Sequence, residues 1–532
     1  MTFLMALTVP ACGDDGGDPS PTAESETPAV TATPNATNLP IADAFDLATQ
    51  APLFVAYGAQ AGDFIHGFSS VASGDFNGDG LEDLLIGAPL ADGPDDSRED
   101  GGEAYVIFGR SDPLPSLDLA ANEQDITIFG AAAGDNLGIT VLALDLNGDD
   151  VDDVVIGAPG VTAGRDLRTD QGRAYVFFGS ADMEGTLDLA NETAAFDFVV
   201  TGAEGFSRIG HAIATGDVNG DNVADLILGA PFAGREVGSP PGSPRKESGE
   251  MYVIFGSSAV GGEVSLAFDQ PGFTVSSEQR HGQFAAAVAA GDVNGDGIDD
   301  IIVGAPQMDF GDKEAVGAAF VFFGGSGLTG RRFIAENEQD ASIIGAKAGD
   351  SFGLPLASAD VNGDGIADIV VGARTAGGSD NDRPAAGAVH MLFGRSDLAA
   401  ASDLSQQRSD IAIVGANGGH LVPMSLALSD VTADAAADII LTTFTGPSER
   451  PDAGAIYIIP VSASLPSTVD LAQPAYRFAV VGAEVDDRLG SALAVLTSGN
   501  TPRLLVLASA ADGLDNQRPN SGEVYILPIP RD

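Results

Sequence analysis

The sequence predicts an all-β chain folded as a seven-bladed β-propeller, and three observations lead to this prediction. Short runs of apolar and β-branched residues alternate with Gly, Asp, Asn and Pro along all 532 residues, as in chains with many strands and tight turns. An Asp-rich loop opens at Asp75 and recurs every 68 to 75 residues. A repeat of about 70 residues with about four short strands fits a propeller blade, which buries its faces by stacking around an axis.

Each repeat contains the same succession of segments. A strand ending in Gly-Ala, such as Ile126–Ala131, precedes a strand of small residues, the Asp-rich loop, a strand ending in Gly-Ala-Pro, a variable segment and a strand such as Ala174–Gly179. We count seven copies. Leu53–Ala59 matches the strand that precedes each loop, while the last strand lies at Tyr525–Pro528. We therefore expect the ring to close by pairing of N-terminal and C-terminal strands.

The Asp-rich loop follows the pattern Asp-x-Asn-x-Asp-Gly-x-x-Asp with small variations, and leads into an apolar strand. Alternate oxygen side chains on a tight loop are what Ca²⁺ requires, with the carbonyl of position seven and water completing its shell. Three carboxylates in one loop repel each other without a cation, so each of about five ions is expected to be structural. Metal-free Asx turns are the alternative. The predicted ligands are Asp75, Asn77, Asp79, Leu81 and Asp83; Asp145, Asn147, Asp149, Val151 and Asp153; Asp217, Asn219, Asp221, Val223 and Asp225; Asp292, Asn294, Asp296, Ile298 and Asp300; and Asp360, Asn362, Asp364, Ile366 and Asp368.

The last two copies have altered loops. The sixth loop, Asp430–Asp438, lacks the Asn and both turn glycines, so we expect no metal there. The seventh copy has Gly499-Asn500-Thr501-Pro502 where the loop stood. Metal binding is therefore predicted for the first five blades.

Two short motifs occur in the repeat, Phe-Gly at 352–353 and Gly-Ala-Pro at 87–89, 157–159, 229–231 and 304–306. With these motifs the repeat resembles the FG-GAP repeat of integrin α-chain N-terminal propellers over nearly the whole chain beyond residue 40. The resemblance implies a seven-bladed propeller whose loops bind calcium on one face. Three features differ from integrins: the loops fall in the first five blades instead of later ones, no thigh-like domains follow, and the N-terminus resembles that of a bacterial lipoprotein. Some calcium-dependent polysaccharide lyases and phospholipases also carry such propellers.

The formal net charge of −53 argues against a nucleic-acid partner, which needs a basic face. Such an acidic surface suits high-salt surroundings, where screening is strong. Ordinary solubility is the alternative explanation.

The N-terminus predicts an envelope protein. Residues 1–12 resemble a bacterial lipoprotein signal segment, which would leave a lipidated Cys12. Residues 13–40, rich in Pro, Thr, Ala and Asp, have too little hydrophobicity to fold and predict a disordered linker before the propeller at 41–532. We expect a monomer that contacts the membrane only through this anchor, facing outward or the periplasm, or secreted if the anchor is absent. A cytosolic chain with an incidental apolar start is the alternative.

The segments between the second and third strands of each blade should lie on the face opposite the metal loops, because turns alternate between the two ends of a blade. Variable loops on a fixed scaffold usually carry binding function. Their arginines could meet an anionic glycan or an acidic protein, or pair locally with Asp and Glu. The segments are 90–102, 160–172, 232–249, 307–317, 374–387, 445–454 and 511–522, and the candidate residues are Arg98, Arg165, Arg168, Arg235, Arg374 and Arg383.

We expect a calcium-binding adhesion or interaction module for an unknown protein or glycan, and not an enzyme. Gly349–Gly353 fits the Gly-x-Ser-x-Gly pattern, but Ser351 aligns with Asn136 of another repeat, and a nucleophile elbow needs a strand-turn-helix context. The alternative is a calcium-dependent carbohydrate-active enzyme, a lyase or hydrolase. Buried carboxylates with perturbed pKa values clustered near the axis of the variable face would favour it. A structural spacer without a ligand is a third possibility.

Overall fold

The computed structural model describes residues 45–63, 69–112, 114–162, 170–191, 196–234, 247–377, 383–398, 401–446, 450–461, 465–473, 478–497 and 501–529. These residues form seven five-stranded sheets and four short 3₁₀ turns, Pro94–Asp96, Leu119–Ala121, Ile334–Glu336 and Leu514–Asn516. No helix in the described part of the chain has the length and apolarity to cross a membrane. The predicted signal segment, Cys12 and the linker to residue 40 lie outside the described residues.

The seven sheets are the blades of a closed ring. The first strands of consecutive blades contact one another, and the first strand of blade seven contacts that of blade one. Within a blade the first four strands are antiparallel and the fifth runs parallel to the fourth. We call the end that carries the loops between first and second strands the Asp-loop face. The opposite end, with the loops between second and third strands, is the variable-loop face.

Each blade contains five strands, named in sheet order from first to fifth. Blade one has Val71–Gly74, Asp83–Ala88, Glu103–Ile107, Ile126–Phe129 and Gly185–Asp188; blade two has Thr140–Leu144, Asp153–Ala158, Arg173–Phe177, Phe198–Thr201 and Gly262–Ser265; blade three has Ala212–Gly216, Asp225–Ala230, Glu250–Ile254, Phe273–Ser276 and Gly330–Phe333. Blade four has Ala287–Gly291, Asp300–Ala305, Ala318–Phe322, Ala341–Ile344 and Ser402–Asp403; blade five has Phe352–Ala359, Asp368–Ala373, Ala388–Leu392, Ile411–Val414 and Thr468–Asp470. Blade six has Leu426–Ser429, Asp438–Thr443, Ala455–Ile459, Phe478–Val481 and Phe45–Asp46; blade seven has Leu489–Leu496, Arg503–Ala508, Glu523–Pro528, Phe54–Tyr57 and Ser116–Asp118.

The predicted ring closure is confirmed. Phe54–Tyr57 pairs antiparallel with Glu523–Pro528, with Phe54 opposite Ile526. A second N-terminal strand, Phe45–Asp46, pairs parallel with Phe478–Val481 in blade six. Both of the last two blades are therefore completed by the start of the propeller.

The expectation of about four strands per repeat is wrong, because each blade has five. The fifth strand of blade one, Gly185–Asp188, follows the third strand of blade two in the chain. The fifth strands span only two to four residues and carry few buried side chains, so they lack the apolar run that marks a strand in sequence. Each covers the outer edge of a fourth strand that would otherwise expose unpaired backbone groups.

The core is divided among the blade junctions. Seven apolar clusters of buried residues lie one at each junction, as where Leu85 and Ile128 of blade one pack with Val154 and Tyr175 of blade two. The second strands of blades one to six are buried along their whole length, since both of their faces meet a neighbouring blade. This scaffold holds the loops of both faces in place.

Candidate metal loops and variable-loop face

The five predicted loops connect the first and second strands of blades one to five and share a common fold. In blade two, Asp145 accepts hydrogen bonds from the backbone N–H groups of Gly148, Asp149 and Asp150 at 2.7, 3.0 and 2.8 Å. Asp149 Oδ1 accepts one from the N–H of Val151 at 3.0 Å. Positions four and six are left-handed, with φ of 76° at Gly148 and 67° at Asp150, which explains the glycines that usually stand there. The carboxylates thus organise the turn through its own backbone.

The aspartates at position nine are buried and join the loop to the third strand. Asp153 is 0% exposed and accepts hydrogen bonds from the N–H groups of Leu146 at 2.9 Å and Gly179 at 3.0 Å. Burial raises the pKa of Asp153 to about 7, with a further rise from the charges of Asp145 and Asp149. The equivalent carboxyls of the other four loops are also 0% exposed, with pKa values raised to about 6 or 7 by burial. Their negative charge is costly to keep in these sites without a cation.

The donor set fits a hard cation such as calcium. Within the described ranges, no ion pair joins a Lys or Arg to a carboxylate at position one, five or nine. Asn147 donates from Nδ2 to Asp153 at 3.5 Å, and its Oδ1, a predicted ligand, is buried without a hydrogen-bond partner. No three carboxylate or imidazole groups of the described residues form a metal cluster. The carboxylates at positions one and five instead face the amides of their own turn, and calcium binding stays a prediction.

The sixth loop keeps the same conformation despite its altered sequence. Asp430 accepts hydrogen bonds from the N–H groups of Asp434 and Ala435 at 3.1 and 2.9 Å. Ala433 and Ala435 hold the left-handed positions, with φ of 61° and 72°. A left-handed residue other than glycine costs about 1–2 kcal/mol. The aspartates therefore suffice to shape this loop, and its lack of metal stays a prediction.

Neighbouring loops are joined across blade junctions by a residue that sequence reasoning missed, the one at position eight. Asp152 of blade two accepts a hydrogen bond from the N–H of Asp75 at 2.9 Å and donates its own N–H to the Asp75 carbonyl at 3.1 Å. Asp299 makes the same two contacts from blade four to blade three. At the ring closure, Glu82 accepts a hydrogen bond from the N–H of Thr497 at 3.3 Å. An acidic residue at position eight was the available signal.

Two candidate arginines of the variable-loop face lie in local ion pairs. Arg98 donates to both carboxylate oxygens of Asp188 at 2.6 and 2.8 Å and to the carbonyl of Gly130 at 2.6 Å. Arg383 holds Asp470 in the same way, at 2.7 and 3.0 Å. We call this arrangement an Arg–Asp clasp. The hydrogen bonds from Arg98 hold the pKa of Asp188 below its usual range.

The clasp recurs around the ring. Arg450 holds Asp46, and Arg518 holds Asp118, so two clasps cross the ring closure. Lys313 takes the place of the arginine in blade four. Sequence reasoning missed the clasp aspartates, each of which ends a fifth strand. A recurring Asp-Leu was the available signal, at 46–47, 118–119, 188–189, 403–404 and 470–471.

Of the remaining candidate arginines, one is partly buried and the others lie outside the described residues. Arg374 is partly buried and donates to the carbonyls of Pro423 and Met424 in blade six at 3.2 and 2.9 Å, and desolvation lowers its pKa to about 10. Arg165, Arg168 and Arg235 lie outside the described residues. The observed contacts favour local pairing, and recognition of an anionic ligand by these arginines stays a prediction.

Buried carboxylates with raised pKa values do occur on the variable-loop face. Asp63, Asp135, Asp350 and Asp487 are 4–8% exposed and occupy one repeat position. Burial raises the pKa of Asp63 to about 7, with further rises from Glu103 and Asp92, and that of Asp487 to about 6. Each accepts a hydrogen bond from the N–H three residues before it, at 2.8–3.1 Å. The motif repeats in four connections and closes a turn in each, which gives these carboxylates a structural role. Ser351 leads into the strand Phe352–Ala359, not into a helix.

Comparison with known proteins agrees with this architecture. Residues 67–107, 137–177, 209–253, 284–322 and 352–392 match the family model of the FG-GAP repeat. Phosphatidylinositol-glycan-specific phospholipase D of Bos taurus is 30% identical over 211 residues, which cover 40% of this chain and 23% of that protein. Integrin alpha-5 of Xenopus laevis is 31% identical over 252 residues, covering 45% and 20%. The match thus spans less than a quarter of either relative. The crystal structure of BBS1N in complex with ARL6DN covers 89% of this chain and 97% of its own at 10% identity, and its TM-score of 0.42 is too low to support an argument.

Proposed function

We propose that this chain, an FG-GAP repeat propeller of the integrin α type, is a calcium-stabilised binding module of the cell envelope. The observation that carries the calcium proposal is the set of five loops with buried position-nine carboxylates and no partner cation among the described residues. The side chains at positions one, three, five and nine and the carbonyl at position seven would hold the ion. Calcium would supply the positive charge that these loops lack.

The variable-loop face is the proposed binding surface for a protein or a glycan. Its loops differ in length and sequence while the blades beneath them keep one topology, which is how binding surfaces are commonly built. The FG-GAP repeats shared with an integrin α-chain support an interaction role. Lipidation at Cys12, followed by the linker to residue 40, would hold the propeller at the membrane surface, outside the cell or in the periplasm.

Calcium binding is tested on the purified full chain by equilibrium dialysis with metal analysis, together with thermal unfolding in calcium and in chelator. We expect about five bound ions and a melting temperature lower by many degrees in chelator, since each filled site adds stability that grows with the logarithm of the ligand excess. Asp364→Asn in blade five should remove one ion. The matched control, Asp434→Asn in blade six, should remove none. An unchanged melting curve in excess chelator would contradict the proposal.

Ligand binding is tested by screening glycans and envelope proteins against the calcium-loaded and chelated chain. We expect a selective ligand that binds only when calcium is present, because the blades set the positions of the variable loops. A structural spacer would show no selective ligand in either state.

A further inference from the structure

The junction of blades three and four carries a cleft that no motif identified. A cavity of about 510 Å³ opens there on the variable-loop face. Its lining includes Met308 and Phe320, both 2% exposed, together with Phe310 and Ile334. Glu278 is exposed at its rim. The cleft thus combines apolar side chains with uncharged polar ones, among them Gln279 and Asn337, and has one carboxylate at its rim.

The cleft coincides with two departures from the repeat. In the other six blades a glycine follows the fourth strand, and a Cβ there would lie 1.7–2.3 Å from a backbone carbonyl oxygen. Blade three has Ser277 at this position, so its backbone must leave room for a side chain. Its fifth strand ends at Phe333, which is followed by Ile334, where five other blades have the Asp-Leu of a clasp and blade two has Ser265-Leu266. No Arg–Asp clasp is present among the described residues of blade three, and apolar side chains replace it.

The net charge of the molecule favours cationic ligands for this cleft. The net charge of −53 produces a field that attracts cationic partners and repels anionic ones. Glu278 adds a local negative charge at the edge of the apolar pocket. An aromatic or aliphatic anchor in such a pocket typically dominates the binding energy of a protein interface.

We propose that this cleft binds a basic segment of a protein partner. One large apolar side chain of that segment lies against Met308, Phe310 and Phe320, and a flanking Lys or Arg pairs with Glu278. The proposal rests on the binding function proposed above and specifies its site and the chemistry of its partner.

The test uses the full calcium-loaded chain and fluorescein-labelled peptides, read by fluorescence anisotropy. The probes carry Phe, Leu, Ile or Trp between pairs of lysines, with control peptides in which Ala replaces the apolar residue or Glu replaces the lysines. We expect the Ala peptide to bind about tenfold to a hundredfold more weakly than the Phe or Leu peptide, since one buried apolar side chain is lost. The Glu peptide should not bind.

Substitutions in the chain locate the binding. Ala335→Trp places a large ring at the mouth of the cleft and should weaken binding at least tenfold. Its control is Ala120→Trp, because Ala120 and Ala335 are both the exposed second residue of a 3₁₀ turn after a fifth strand. Glu278→Lys should weaken binding more than Glu99→Lys, which makes the same charge change on an exposed residue of blade one.

Equal binding by Ala335→Trp and Ala120→Trp, or by the Phe and Ala peptides, would overturn the proposal. So would the absence of binding by all four peptides at millimolar concentration. A neutral oligosaccharide that binds the chain and is blocked by Ala335→Trp would show a sugar site instead. Thermal unfolding of each variant is also measured in calcium and in chelator. Ala335→Trp should keep the wild-type difference in melting temperature between the two conditions. A failure of the calcium proposal would remove that difference in the wild-type chain as well, so the two failures can be told apart.

Discussion

Asp153 on the Asp-loop face and Asp188 on the variable-loop face both lie at strand ends, yet their pKa values move in opposite directions. Burial raises the pKa of Asp153 to about 7, although the backbone N–H groups of Leu146 and Gly179 donate hydrogen bonds to it. The hydrogen bonds of the Arg98 guanidinium hold that of Asp188 below its usual range. The clasps of one face carry their own cations, whereas we propose that the loops of the other face take a cation from solution. The two faces should therefore respond differently to calcium, acid and substitution.

The largest expected effect is a reversal of the pH dependence of stability by calcium. In chelator, the position-nine carboxyls have folded pKa values of about 6 to 7, above the unfolded value, so the folded state binds more protons across this range. The free energy of unfolding should then rise as the pH falls from 7 to 5. In saturating calcium it should fall or stay level, because protons compete with the ion for the same oxygens. Urea denaturation at pH 5, 6 and 7 measures both slopes.

The clasps add a second pH window. The folded pKa values of Asp46 and Asp188 lie below the unfolded value, because each accepts hydrogen bonds from an arginine. Their contribution is present above the unfolded pKa and is lost as the pH falls below about 4. If the free energy of unfolding changed equally between pH 7 and pH 5 with and without calcium, the predicted difference between the Asp-loop face and the variable-loop face would be wrong.

Among single substitutions, removal of a position-nine carboxylate should have the largest effect on the free energy of unfolding. Asp368 accepts hydrogen bonds from the N–H groups of Val361 at 3.0 Å, Asn362 at 3.2 Å and Gly394 at 2.8 Å. Asp368→Ala leaves these donors unpaired and should lower the free energy of unfolding by about 3 kcal/mol in chelator. In calcium the loss should be greater, because a ligand is also removed. A loss of the same size in both conditions would show that Asp368 is only a structural residue.

Removal of a clasp should cost less and should not depend on calcium. Arg383→Ala breaks two bonds to Asp470 and one each to the carbonyls of Gly415 at 2.9 Å and Ala416 at 3.2 Å, for an expected loss of about 2 kcal/mol. The control is Arg395→Ala, whose contact with Asp397 at 3.7 Å is solvent-exposed and should contribute less than about 0.5 kcal/mol. Urea denaturation of both variants in calcium and chelator gives the comparison. If the decrease in the free energy of unfolding caused by Arg383→Ala depended on calcium, the two faces would be energetically coupled, contrary to this expectation.

The smallest expected effect concerns position six, which is left-handed, in the Asp-rich loops of blades five and six. Gly365 has φ of 87°, and no atom lies within 4 Å of the point that an alanine methyl would occupy, so Gly365→Ala should cost about 1 kcal/mol through backbone strain alone. Ala435 holds the same place in blade six with φ of 72°, and Ala435→Gly should gain a similar amount. Thermal unfolding of the pair measures both changes. Shifts of the same sign would show that packing, and not φ, determines the choice of residue.

Much of the Asp-loop face could be predicted because its features are local in sequence. The oxygen side chains at positions one, three, five and nine lie within nine residues, and their recurrence identified the blades and the closing strand Phe54–Tyr57. The fifth strands, the position-eight contacts and the clasps were missed. Arg98 and Asp188 are 90 residues apart, and Arg450 and Asp46 are 404 apart, so no spacing pattern joins them.

The sequence by itself determined the repeat, the turn that each Asp-rich loop forms and the number of blades, because short-range spacing controls hydrogen bonding within a turn. Only the tertiary structure decided which carboxylates meet an arginine, which are buried with backbone amides as their main partners, and where a cleft replaces a clasp. Those outcomes depend on which chain segments the closed ring brings together. Burial and charge pairing, which set the pKa values on the two faces, follow from that assembly.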